Sequence, residues 1–220
     1  MKFWDFLSGG RKELTYGALW SYSPWGSSEP ARASRDYRYY LKQEQSVSYR
    51  GKTMFMSEVV ARSISESRSS LPFMSLFESD PVLVPVARSS LLQPGSLWVG
   101  LKVADEMRKA GLGSAVSPSL VRTYAIGKKA SAEEHYNSQK VEQKLLTEPE
   151  HILLVDDFVT RGATMIASAL RLWDAYPTAD IAGFAPIRTI TDPSHFKRVF
   201  DPVLGTITLY RSGRCHRDPD

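Results

Sequence analysis

The segment Ile152-Leu153-Leu154-Val155-Asp156-Asp157-Phe158-Val159-Thr160-Arg161-Gly162-Ala163-Thr164 constrains the fold more than any other stretch of this chain. Its four leading apolar residues read as a strand buried on both faces, the form that a parallel sheet imposes. The polar turn runs straight into residues 163–176, where Ile166, Ala169, Leu170 and Trp173 share one face at helical spacing. A second branched apolar run, residues 181–185, follows. The unit is therefore strand–helix–strand.

The same alternation extends upstream. Ser57 is placed as the N-cap of a helix carrying Met56, Val59, Val60, Ser63 and Ile64 at i, i+3, i+4 spacing and ending near Ser69. Residues 81–86 (PVLVPV) read as a buried strand that Pro85 ends. After Pro94 and Gly95, residues 97–110 read as a helix with Val99, Val103, Met107 and Ala110 on one stripe, stopped by Gly111 and Gly113. Residues 119–121 and 207–210 are further strands, and residues 123–150 form a long polar insert, helical over 132–146. Repeated units of this kind predict an α/β fold with a parallel sheet covered on both faces. Ligands of such sheets sit beyond the carboxyl ends of the strands, which directs attention to the loops after Val86, Val121 and Val155.

Composition narrows the remaining classes. The chain has 220 residues, 42% of them hydrophobic, which suffices for one buried core. Its apolar runs are too short to span a bilayer. The start breaks its apolar stretch at Asp5 and fits a secretory signal poorly, so a cytoplasmic location is expected. A single cysteine, Cys215, rules out an internal disulfide and a multi-cysteine zinc cage. A net charge of +4 suits an anionic ligand without requiring nucleic acid.

The turn after Val155 combines two chemistries. Asp156 and Asp157, at the tip of a strand, can accept hydrogen bonds from vicinal hydroxyls or approach a divalent cation. Residues 160–164 form a tight turn at a helix N-terminus, where backbone N–H groups and hydroxyls surround an oxyanion. Gly162 permits close approach of backbone to ligand, and Thr164 can cap the helix and donate to phosphate. A sugar bearing hydroxyls and one terminal phosphate fits both ends.

These residues resemble the phosphoribosyl-pyrophosphate signature of type I phosphoribosyltransferases: four apolar residues, two acids and a Thr-x-Gly-x-Thr turn. The resemblance implies a parallel-sheet, Rossmann-like type I phosphoribosyltransferase core over residues 51–187, with Mg2+ as cofactor. Asp156 and Asp157 would hold the ribose hydroxyls and the metal, and Thr160, Arg161, Gly162, Ala163 and Thr164 the 5′-phosphate. Many members carry a small residue in place of Arg161, whose guanidinium adds a phosphate contact, points outward or crowds the loop. Val86, Ala87, Arg88 and Ser89 would form the pyrophosphate loop; Arg122, Lys128, Lys129 and Lys140 would belong to a mobile catalytic loop, with Lys128 and Lys129 at the reaction and Arg122 on the pyrophosphate. Tyr49-Arg50-Gly51-Lys52 and Leu120-Val121-Arg122 look most like the competence-protein F branch, although its four-cysteine zinc module and its Asn-Gln pair are absent.

Outside the core, residues 1–50 read as an irregular aromatic and basic arm or hood, and residues 188–220 as a C-terminal hood segment and tail. Arg32, Arg35 and Arg38 recur every three residues among tyrosines, a pattern that suits a cap over the core edge or a nucleic-acid surface. A homodimer is a further expectation, since dimers are frequent in the family. The Gly51-Lys52-Thr53 triplet lacks the first glycine and the strand of a phosphate-binding P-loop, and Gly111-Leu112-Gly113 follows a helix where a dinucleotide fingerprint would open one. The four histidines show no metal spacing, and His135 alone is kept as a substrate contact. Two function classes follow: transfer of a phosphoribosyl group to a nitrogen acceptor such as a nucleobase, with release of pyrophosphate, or a regulatory or nucleic-acid-handling protein on the same fold that binds without turnover.

Overall fold

A computed structural model of the chain describes residues 2–91, 93–127, 129–142 and 148–219. The strands are β1 (Arg11–Tyr22), β2 (Ser46–Tyr49), β3 (Lys52–Phe55), β4 (Val82–Pro85), β5 (Ala115–Val116), β6 (Leu120–Arg122), β7 (Gln139–Val141), β8 (His151–Val155), β9 (Phe158–Val159), β10 (Asp180–Thr189), β11 (Phe200–Tyr210) and β12 (Cys215–Asp218). The helices are α1 (Glu29–Lys42), α2 (Met56–Glu66), α3 (Ser75–Glu78), α4 (Val99–Lys109), α5 (Ala132–Asn137) and α6 (Ala163–Ala175).

The fold is mixed α/β around one mostly parallel sheet, in the order β12-β11-β1-β10-β8-β4-β5, with β9 beside the end of β10. Strands β1, β10, β8, β4 and β5 run parallel, whereas β11 and β12 are antiparallel to their neighbours. Successive side chains of β8 point to opposite faces, both of them buried: Ile152 and Leu154 pack with α6 on one face, Leu153 and Val155 with α2 and α4 on the other. From β4 the chain crosses through α4 to β5, and from β8 it crosses through α6 to β10 on the opposite side. The crossover direction thus reverses between β4 and β8, and a crevice opens at their carboxyl ends.

Several expectations change at this point. Residues 1–50 are not an irregular arm: β1 is a 12-residue strand inside the sheet, paired with β10 and β11, and α1 covers the adjoining face. The polar tail is ordered too, since β12 pairs with β11 through Thr206↔Asp218 to Leu209↔Cys215. Of the helix expected over 132–146, α5 forms at its start; Ser138 caps it and the chain turns into β7, which pairs antiparallel with β6 in a hairpin off the main sheet, while residues 143–146 lie outside the described residues. Ser57 does not cap α2. Phe55 occupies that place, its N–H donating to the Glu58 carboxylate at 3.2 Å, while the Ser57 hydroxyl donates to Glu44. Among the described residues no helix is long and apolar enough to cross a membrane.

Candidate functional site

Two adjoining cavities occupy the crevice. One, of about 350 Å³, lies between the loop after β4 and the loop after β8 and is lined by Val86, Ala87, Arg88, Ser89, Asp156 and Asp157, among others. The second, of about 620 Å³, is lined by Lys129 and by residues 160–165. His135, Asp156, Phe158 and Thr164 border both. The residues named from sequence for the two ends of a ligand are therefore brought to one crevice. Lys128 lies outside the described residues. Lys129 and Arg161 are exposed and face the larger cavity.

The chain turns tightly at the start of α6. Gly162 is the N-cap with φ 83°, a left-handed conformation that a side chain disfavours, and a Cβ placed on it would lie 2.6 Å from Ile207. The N-cap has no side chain, so Thr164 does not cap this helix; its hydroxyl instead meets His135 Nε2 at 3.2 Å. Thr160 is bonded to Thr189 through their hydroxyls at 3.0 Å, and its carbonyl accepts from Arg217 Nε at 2.7 Å. Arg217, 3% exposed, also donates to the Thr189 carbonyl and the Tyr16 hydroxyl. The turn is thereby fixed to the main sheet.

The two acids differ in environment. Asp157 forms an ion pair with Lys42 Nζ at 2.6 Å, across the end of α1. Asp156 Oδ1 accepts from the Asp157 N–H at 2.9 Å. Burial, and then the charge of Asp157, pushes the Asp156 carboxyl up to about 7, with Lys42 opposing. The raised Asp156 carboxyl takes up a proton more readily than an ordinary aspartate, and a protonated carboxyl can donate to a diol as well as accept from it. Among the described residues no group of three His, Cys, Asp or Glu side chains is placed to hold a metal ion. Two carboxylates, one already countered by lysine, suit Mg2+ only together with oxygens of a bound phosphate, which is the manner in which Mg2+ commonly binds.

The loop after β4 is held by other means. Val86 N–H donates to the Val155 carbonyl at 2.9 Å, and Trp98 Nε1 donates to the Val86 carbonyl at 3.0 Å. Arg122, 7% exposed, donates from Nε to the Arg88 carbonyl at 2.8 Å and from Nη2 to the Ala87 carbonyl at 3.3 Å. Its Nη1 serves the His135 carbonyl and the Ser138 hydroxyl. Burial lowers this guanidinium to about 10, so it stays charged. Arg122 lines the cavity, but these bonds aim its nitrogens at backbone and side-chain oxygens of the protein. Arg88 contrasts with it: its Nη1 is buried and meets no partner among the described residues. A guanidinium nitrogen left so is poised for an anion.

Lys42, Trp98 and the His135 link were not singled out for these roles from sequence. Lys42 carried a signal, because it stands four residues after Arg38 on the same helical face, and both cations lie over the Phe158 ring, at 5.7 and 5.8 Å. Arg32 and Arg35 turn back on the chain, donating to the carbonyls of Ser27 and Gly26. Lys140 pairs with Glu142 at 2.8 Å. Cys215, half-buried, is raised to about 11 by burial and carries no thiolate at neutral pH.

Compared with known proteins, the chain matches no family model, and no curated protein sequence shows significant similarity to it.

Proposed function

We propose that this chain is a type I phosphoribosyltransferase, transferring the phosphoribosyl group of phosphoribosyl pyrophosphate to a nitrogen acceptor such as a nucleobase. The observation that carries the reading is the joint lining of one crevice by a carboxylate pair, an αL glycine turn at a helix N-terminus and an arginine with an unpartnered nitrogen. A pentose carrying an anion at each end needs those three devices in that order. The α6 N-terminus, Thr160, Thr164 and Arg161 would seat the 5′-phosphate, Asp156 and Asp157 the ribose diol, and Arg88 the diphosphate. Mg2+, held by the acids and the diphosphate together, would supply charge neutralisation of the leaving group.

In the transfer the anomeric C–O bond to pyrophosphate breaks, the C–N bond forms, and the acceptor nitrogen gives up its proton. Positive charge develops on the sugar ring while negative charge grows on the departing oxygens. Asp157 lies where it can face the first and Arg88 the second. Lys42, paired with Asp157, opposes the rise of the Asp156 carboxyl.

The test is release of pyrophosphate from the magnesium complex of phosphoribosyl pyrophosphate with a panel of nucleobases and amines. Turnover with at least one acceptor, lost in Asp157→Ala, is the expected result. Binding without turnover across the panel would replace this reading with the regulatory one. No binding at all would remove both.

A further inference from the structure

The two seats of the crevice are joined by a chain of polar groups whose central members, Arg122 and His135, are buried and have no part in the proposed chemistry. It starts at the Ala87 and Arg88 carbonyls, passes through Arg122 to His135 Nδ1 at 3.4 Å, and leaves His135 at Nε2 for the Thr164 hydroxyl at 3.2 Å. Direction is fixed by chemistry. An arginine only donates, so Nδ1 must accept and the ring proton resides on Nε2, which donates to Thr164 Oγ1. The ring is buried, and desolvation followed by the Arg122 charge holds its pKa down at about 4, so it is neutral at physiological pH. The Thr164 hydroxyl, accepting from His135, keeps its own proton to give to an anion in the larger cavity.

Resting on the phosphoribosyl reading of this crevice, we infer that His135 is a positioning residue that couples the two anion seats, so that an anion held by Thr164 raises affinity for an anion at the 86–89 loop, and the reverse. Two effects carry the coupling. An anion on the Thr164 hydroxyl makes its oxygen a better acceptor for His135, which makes Nδ1 a better acceptor for Arg122; hydrogen bonds in series strengthen one another where solvent is excluded. The second is ordering. Arg122 grips both carbonyls of the first loop and, through its Nη1, the His135 carbonyl and the Ser138 hydroxyl, so fixing one end reduces the conformational freedom that the other end must lose. The hairpin of β6 and β7 thus acts as a bridge between the loops, with His135 at its centre.

The experiment uses the two fragments of the substrate as probes. Calorimetry measures ribose 5-phosphate affinity for the full chain with and without saturating magnesium pyrophosphate, and the converse titration checks reciprocity. The expected ratio of affinities is about fivefold or more, the lower end of ordinary coupling between sites. In His135→Asn, which retains an acceptor near the Nδ1 position but reaches no further, the ratio falls to one whatever happens to the separate affinities. A merely structural role would lower both affinities and leave the ratio intact, overturning the inference. Should His135→Asn fail to fold, Thr164→Ser and Thr164→Val decide the matter, since the first keeps the hydroxyl and the coupling while the second loses both. Wild-type protein that binds both probes with a ratio of one overturns the coupling and leaves the proposed activity standing. Binding of neither probe overturns that activity together with the coupling.

Discussion

Two buried arginines hold the two loops of the crevice, and they do so from different foundations. Arg217 grips Thr160 and Thr189 from β12, a strand of the main sheet, and so ties the turn before α6 to a rigid frame. Arg122 grips Ala87 and Arg88 from β6, which belongs to a two-stranded hairpin outside that sheet. Arg217 is enclosed between Tyr16, Thr160 and Thr189, whereas Arg122 borders cavities into which water can enter. The comparison separates stability from function within one site. Where carbonyls are sealed, losing their donor costs folding energy; where water can replace the donor, the loss falls on ligand geometry.

Arg217→Ala should therefore be the most damaging single change away from the ligand, lowering stability by about 3 kcal/mol because two buried acceptors and one partly buried carbonyl lose a charged donor. Urea unfolding reads this directly, and a loss under 1 kcal/mol would break the distinction between the two clamps. Gly162→Ala comes next. The left-handed φ and the overlap with Ile207 together should cost about 2–3 kcal/mol. Adding Ile207→Val restores the part due to overlap and leaves the part due to φ, so only a partial recovery in the double variant agrees with this account.

The legible part of the fold was the part written in local pattern. The apolar strand, acidic tip and glycine turn of residues 152–164, and the stripes on α4 and α6, are contiguous in sequence and recur in the structure with small shifts of boundary. β1 escaped because its buried residues Leu14, Tyr16 and Ala18 on one face, and Leu19 and Trp20 on the other, include aromatics that also suit a surface cap, and because Gly17 interrupts the run. That glycine has a packing reason visible only in three dimensions: a Cβ there would meet Phe73 at 2.8 Å. Likewise the site acids were evident, but Lys42 lies 115 residues from Asp157 and Arg217 lies 57 residues from Thr160. Pairings at such separations follow from the strand order, which the sequence alone does not state.

On the other side of the comparison, Arg122→Ala should cost about 1–2 kcal/mol of stability, water from the adjoining cavities reaching the partly buried Arg88 carbonyl, while pyrophosphate affinity falls about tenfold, equivalent to ~1.4 kcal/mol. Arg122→Lys keeps the charge but cannot span Nε and Nη2 contacts to successive carbonyls, so it should recover little of the affinity. Full recovery by lysine would show that charge, and not the fork, is what the loop needs.

A further prediction concerns pH dependence, and it tests the asymmetry of the acid pair itself. Asp156 has a carboxyl raised to about 7 in the folded chain against an ordinary value of 3.8, so between these limits the folded state binds more protons than the unfolded one. Its contribution to stability therefore declines as pH rises from about 4 to about 7 and is constant above that range. Asp156→Asn keeps the acceptor for the Asp157 N–H and removes the ionisation, so it should stabilise the protein at pH 8 and leave it nearly unchanged at pH 4. Thermal unfolding of both proteins across that interval measures the difference. Equal pH profiles would mean that Asp156 is ionised throughout and that its burial does not raise its carboxyl.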